Sequence, residues 1–160
     1  MKILVVEDDE NKRTQISQFL IEAYPRCDLH LARSVQSGLR HIQREAPDII
    51  LLDMTLPNYD TGPDEPGGTT HIFGGRELLR QMDRFDLNIP TIVITQFETF
   101  GQPPNAMKLP QLDAELKSEH SGFYRGAVYY HASIHDWKDK LRLMIATSMD
   151  SVGGSDTHHA

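Results

Sequence analysis

Three runs in this chain are apolar at every position: Ile3-Leu4-Val5-Val6, Ile49-Ile50-Leu51-Leu52 and Ile92-Val93-Ile94. A strand with one wet face alternates apolar and polar residues, whereas a strand covered on both faces does not. The runs therefore predict interior strands of a parallel sheet. Between them the pattern changes to helical spacing. Ile16, Phe19, Leu20 and Ala23 form one apolar stripe before Pro25. Ser34 is a candidate N-cap for a second helix carrying Val35, Leu39 and Ile42, which Pro47 ends. A weaker strand is expected over residues 28–32. Leu78, Leu79 and Met82 mark a third helix, and Leu112 and Leu116 a fourth with Pro110 in its first turn. The fifth strand is expected at Gly126-Ala127-Val128-Tyr129-Tyr130. Ser133 and Asp136 suggest a capping box for a last helix that buries Trp137, Leu141, Met144 and Ile145. Strand and helix thus alternate five times, the pattern of a parallel sheet with helices on both faces.

Two segments break this rhythm. Residues 57–75 are rich in Gly and Pro, and residues 96–109 contain Pro103-Pro104; both are expected to be long irregular loops. Residues 1–147 are expected to form one domain, and residues 148–160 a polar flexible tail or the start of a linker.

With 160 residues and a formal net charge of −7, the chain has the size of one domain and lacks the basic face that direct nucleic-acid binding needs. One cysteine, Cys27, rules out an internal disulfide and suits a reducing cytoplasm. No apolar run is long enough to span a bilayer. The start of the chain also does not resemble a signal peptide.

In doubly wound sheets, sites form at the carboxyl ends of the strands. That rule gathers Glu7, Asp8 and Asp9 after the first strand, Asp53 after the third, Thr95 at the end of the fourth and His131 after the fifth. Acids after a strand also suit a helix N-terminus. Asp53 at the end of a buried strand shifts the balance toward an acidic pocket. Clustered carboxylates repel one another, and a hard divalent cation with oxygen ligands relieves that repulsion. A carboxylate can also attack phosphorus, and a nearby hydroxyl such as Thr95 can bind a phosphoryl oxygen.

The segments Leu4-Val5-Val6-Glu7-Asp8-Asp9, Ile50-Leu51-Leu52-Asp53-Met54-Thr55-Leu56-Pro57 and Pro90-Thr91-Ile92-Val93-Ile94-Thr95 together resemble the receiver domain of two-component response regulators. The resemblance spans roughly residues 1–147. It implies a flavodoxin-like (βα)5 doubly wound parallel sheet of order 2-1-3-4-5, in three α/β/α layers. It also implies Asp53 as phosphoacceptor, and Mg2+ or Mn2+ held by Glu7, Asp8, Asp53 and the backbone carbonyl of Thr55, with Thr95 as the switch hydroxyl. The implied partner is a histidine kinase or histidine phosphotransfer protein, and the implied self-association surface is helix 4, strand 5 and helix 5. The chain would be a phosphoacceptor rather than an enzyme, with at most self-phosphorylation and autodephosphorylation.

Several positions depart from the family. Its lysine after the fifth strand is missing, and His131 in Tyr130-His131-Ala132 falls on that position as a candidate replacement. Val128 stands at the aromatic switch position, and Gln96 follows Thr95 where a small residue is usual. These departures raise an alternative: a pseudo-receiver that works as a phosphorylation-independent interaction module. A hydrolase fits poorly, because the chain has no Gly-x-Ser-x-Gly elbow and Asp53-Met54-Thr55 lacks the second acid of an aspartate-based phosphatase. The glycine-rich loop lacks the Lys-Ser/Thr of a phosphate cradle. His158-His159 show no metal-ligand spacing.

Overall fold

The structure is a computed structural model that describes residues 1–60, 70, 71 and 73–157. The core of the expected glycine-rich loop and the pair His158-His159 lie outside the described residues. The main sheet has five parallel strands: β1 (Lys2–Val6), β2 (Asp28–Ala32), β3 (Ile49–Leu52), β6 (Thr91–Thr95) and β9 (Tyr124–Tyr129). Their spatial order is β2-β1-β3-β6-β9, so the expected fourth and fifth strands are β6 and β9 and the 2-1-3-4-5 order holds.

The two faces of the sheet carry separate cores. Leu4, Val6, Ile50, Leu52 and Val93 meet α2 (Val35–Arg44), α3 (Gly74–Arg84) and α4 (Leu109–Glu119) through Leu39, Leu78, Leu79 and Leu112. Ile3, Val5, Ile49, Leu51, Ile92, Ile94 and Val128 meet α1 (Glu10–Ala23) and α5 (Asp136–Thr157) through Ile16, Phe19, Leu20, Trp137 and Leu141. Successive strand residues point to opposite faces, so an unbroken apolar run feeds both cores. Each fully buried Leu, Ile or Phe contributes roughly 1.5–3 kcal/mol, and these two layers supply most of the favourable energy.

Caps set the helix starts. Asp9 accepts from the Lys12 amide, and Ser34 and Ser37 form a reciprocal capping box on α2. At α5 the expected Ser133–Asp136 box is not the observed arrangement: the Ser133 amide instead donates to His131 Nδ1, and the turn closes through a His131–Ile134 bridge.

Both segments expected to be irregular contain short antiparallel pairs. β4 (Leu56–Pro57) pairs with β5 (Thr70–His71), and β7 (Thr99–Phe100) with β8 (Met107–Lys108). The second pair is held down by Phe100, which is buried in the core beside Phe73. One anchoring aromatic at a hairpin end carries no periodicity, so the pattern of residues 96–109 conceals it. At the other end of the chain, α5 continues as helix to Thr157, past the start of the expected tail. Ser148 is buried there, and its hydroxyl bonds the Met144 carbonyl. The serine thus satisfies its buried hydroxyl on the helix's own backbone without leaving the helix.

Gly74 and Gly75 bring α3 against the β3–β4 connection. A Cβ at Gly75 would lie 2.3 Å from the Asp53 carbonyl oxygen, and one at Gly74 2.2 Å from that of Leu56. The Gly75 amide also donates to the Met54 carbonyl at 2.9 Å. A methyl group at this point must push the helix off the strand end. Gly75→Ala should therefore cost about 1–3 kcal/mol, the usual range for overpacking, measured by urea denaturation. An unchanged midpoint would show that α3 is not seated here as described.

Candidate functional site

The strand ladder itself assembles the site. The Asp53 amide donates to the Val6 carbonyl at 3.0 Å and the Glu7 amide to the Ala32 carbonyl at 2.9 Å, so hydrogen bonding continues one residue past the ends of β3 and β1. Glu7 and Asp53 are thereby set side by side and both are buried. Asp8 is half-buried beside them, and Asp9 is exposed, its carboxylate committed to the α1 cap. Thr95 is fully buried at the end of β6, where its hydroxyl oxygen accepts from the Phe97 amide at 3.1 Å. Thr55 follows Asp53 by two residues, with its Oγ1 buried and unpaired among the described residues.

Between the carboxylates lies a residue that the sequence reasoning missed. The Lys12 ammonium, 1% exposed, is 2.6 Å from Glu7 Oε1 and 3.1 Å from Asp53 Oδ1. It also donates to the Ile94 carbonyl at 2.7 Å. Three oxygens thus face an ammonium with three protons. Its approach is covered by Tyr130, whose ring centroid is 5.8 Å from Lys12 Nζ. Lys12 belongs to the inward stripe of α1, one turn before Ile16, where an apolar residue would be expected. That was the available signal: a lysine in phase with Ile16, Phe19 and Leu20.

Burial pushes the Glu7 pKa upward and the Asp53 carboxylate adds to that push, while Lys12 opposes both. Asp53 receives both of its hydrogen bonds on Oδ1, from Lys12 and from the Met54 amide at 2.9 Å. Its Oδ2 has no hydrogen-bond partner among the described residues.

His131 does not join this cluster. It is exposed, accepts from the Ser133 amide, and lines an open groove of about 440 Å³ with Glu98, Tyr129, Ile134, Asp136, Trp137 and Lys140. Val128 is fully buried in the core under α1 and α5. The aromatic residues next to it divide their roles: Tyr129 faces the groove, and Tyr130 packs on Trp137.

The sheet order, the acids at its carboxyl edge and Asp53 at the end of β3 define a class, and comparison with known proteins agrees. Residues 3–117 match the response regulator receiver domain family, and the chain belongs to that family. It is 37% identical to the uncharacterized protein y4jR of Sinorhizobium fredii over 145 residues, 89% of this chain and 95% of that protein. It is 29% identical to the Detocs response regulatory protein DtcB of Enterobacter cloacae over 143 residues, 88% of this chain and 95% of that one. Among solved structures, the signal receiver domain of a LuxO-type repressor protein from Vibrio parahaemolyticus superposes with a TM-score of 0.68 at 17% identity. The match covers 99% of this chain and 97% of that one. No helix among the described residues is long and apolar enough to cross a membrane.

Removing one partner from a buried ion cluster strands the other charges. Lys12→Met should lower stability by about 3–5 kcal/mol, and Glu7→Gln added to Lys12→Met should restore part of the loss. Urea unfolding of the single and double variants checks both. A Lys12→Met cost below about 1 kcal/mol, typical of an exposed pair, would contradict the burial described.

Proposed function

We propose that this chain is a phosphorelay receiver that accepts a phosphoryl group on Asp53 from a histidine kinase or histidine phosphotransfer protein. The observation that carries this is the Asp53 carboxylate itself, anchored through Oδ1 and with Oδ2 unbonded among the described residues, where it can attack. The Asp53–phosphorus bond forms as the phosphohistidine nitrogen–phosphorus bond breaks, and the imidazole leaves and takes up a proton. The Thr95 hydroxyl can turn its proton toward a phosphoryl oxygen, because its oxygen rather than its hydrogen is engaged by Phe97.

The donor types suit a divalent cation, although the Glu7, Asp8 and Asp53 oxygens do not all converge within 4.8 Å while Lys12 lies between Glu7 and Asp53. Every candidate ligand is an oxygen, and the Glu7, Asp8 and Asp53 carboxylates outnumber the single Lys12 ammonium. Glu7, Asp8, Asp53 and the Thr55 carbonyl would hold Mg2+ or Mn2+. Such an ion supplies charge neutralisation to the transferring phosphoryl group.

Lys12 takes the part that the family gives to its lysine after the last strand. The ammonium touches Asp53 and, through Ile94, the strand that ends in Thr95. Acylation removes the carboxylate charge from Asp53 and places phosphoryl charge nearby, so Lys12 must re-partner. Its bond to Ile94 carries that change to the end of β6. Output then passes through the face of α4, β9 and α5, either to a partner or to a second copy of the chain.

Incubation with Mg2+ and acetyl phosphate should add one phosphoryl group by intact mass. Asp53→Asn or chelation of the metal should abolish the gain. A Lys12→Ala variant that folds should still be modified at Asp53. No metal-dependent gain with acetyl phosphate or a phosphohistidine donor would leave the pseudo-receiver reading in its place.

A further inference from the structure

A second cluster of ligand-type side chains lies away from Asp53, where the edge strand β2 meets the end of α2. His30 projects from the middle of β2, His41 from the last turn of α2, and Glu45 caps that helix. One ligand atom from each falls within 4.8 Å of the others. The two imidazoles lie against each other at a centroid distance of 4.7 Å with their planes tilted by 43°, and both are half-buried. His30 Nε2 is buried and makes no hydrogen bond among the described residues, although Asp28 Oδ2 stands 3.1 Å away. The Glu45 carboxylate is held toward the cluster by Lys2, at 2.7 Å.

Two imidazoles in tilted contact, converging with the Glu45 carboxylate, have a common use. They are the nitrogen and oxygen ligands of a borderline divalent metal. We propose that His30, His41 and Glu45 form a three-ligand zinc-type site. The ion would staple the edge strand β2 to the C-terminal end of α2. This site shares no residue with the Asp53 cluster and takes a softer cation than the oxygen-only set there.

Lys2 gives the site a distinctive signature. Its ammonium competes with the metal for Glu45, so removing it should tighten binding, whereas removing a ligand should weaken it. The test uses the full chain with His158→Ala and His159→Ala in every sample, so that the terminal histidines contribute nothing. Zn2+ is titrated against a competing chromophoric chelator, with thermal melting in parallel. The expected result is one Zn2+ per chain that excess Mg2+ does not displace, and a raised melting temperature. Affinity should fall roughly tenfold or more in His30→Ala or His41→Ala, at least the loss that even outer partners of a metal bring. It should rise in Lys2→Met and stay unchanged in Asp53→Asn. Co2+ should give tetrahedral visible absorption that His41→Ala removes. Absence of one-to-one binding, equal affinity in the histidine variants, or loss of binding in Asp53→Asn would overturn the proposal.

Discussion

The structure turns on one buried cation. Lys12 sits between Glu7 and Asp53 and on the Ile94 carbonyl, and so ties α1, β1, β3 and β6 together at the carboxyl edge of the sheet. Bringing such charges out of water costs several kcal/mol per ion, and only close, saturated geometry offsets it. Three facing oxygens and the Tyr130 ring supply that geometry. Without the ammonium, two carboxylates fixed side by side by the strand ladder would repel each other in a nearly dry site. The protein therefore carries an internal counter-charge where its acids crowd.

The end of β9 is arranged differently. A lysine entering from α1 already meets Asp53, and after β9 Tyr130 is buried against Trp137. His131 is left to the exposed groove. The change in position also changes what a positive charge can report. A lysine rooted in α1 belongs to the helix that Asp9 caps beside Glu7, and it reaches the β6 backbone directly. Val128, fully enclosed in the core, offers no ring to rotate, whereas the Lys12 ammonium bonds the Ile94 backbone carbonyl directly.

Much of this was legible in the sequence. Unbroken apolar runs forced interior parallel strands. Pro25, Ser34, Pro47 and Pro110 placed helix boundaries, and strand ends gathered Glu7, Asp8, Asp53 and Thr95 on one rim. The misses share a cause. Phe100, which seats a hairpin, and Ser148, which sits inside a helix, act through single tertiary contacts that no period reveals. Lys12 was hidden for a different reason. Lysine is read as a surface residue, and only its phase with Ile16 and Phe19 marked it as inward. His131 fell on the family's lysine position by alignment alone, and alignment cannot see that a lysine from α1 reaches Asp53.

The central claim is that Lys12 links the state of Asp53 to the end of β6. Backbone NMR of the protein with Mg2+, before and after beryllofluoride, tests it most directly. In the wild-type chain, the amides of Ile94, Thr95 and Phe97 should shift together with those around Asp53. In Lys12→Met the shifts around Asp53 should persist while those at the end of β6 collapse. Equal shifts at β6 with and without Lys12 would contradict the account.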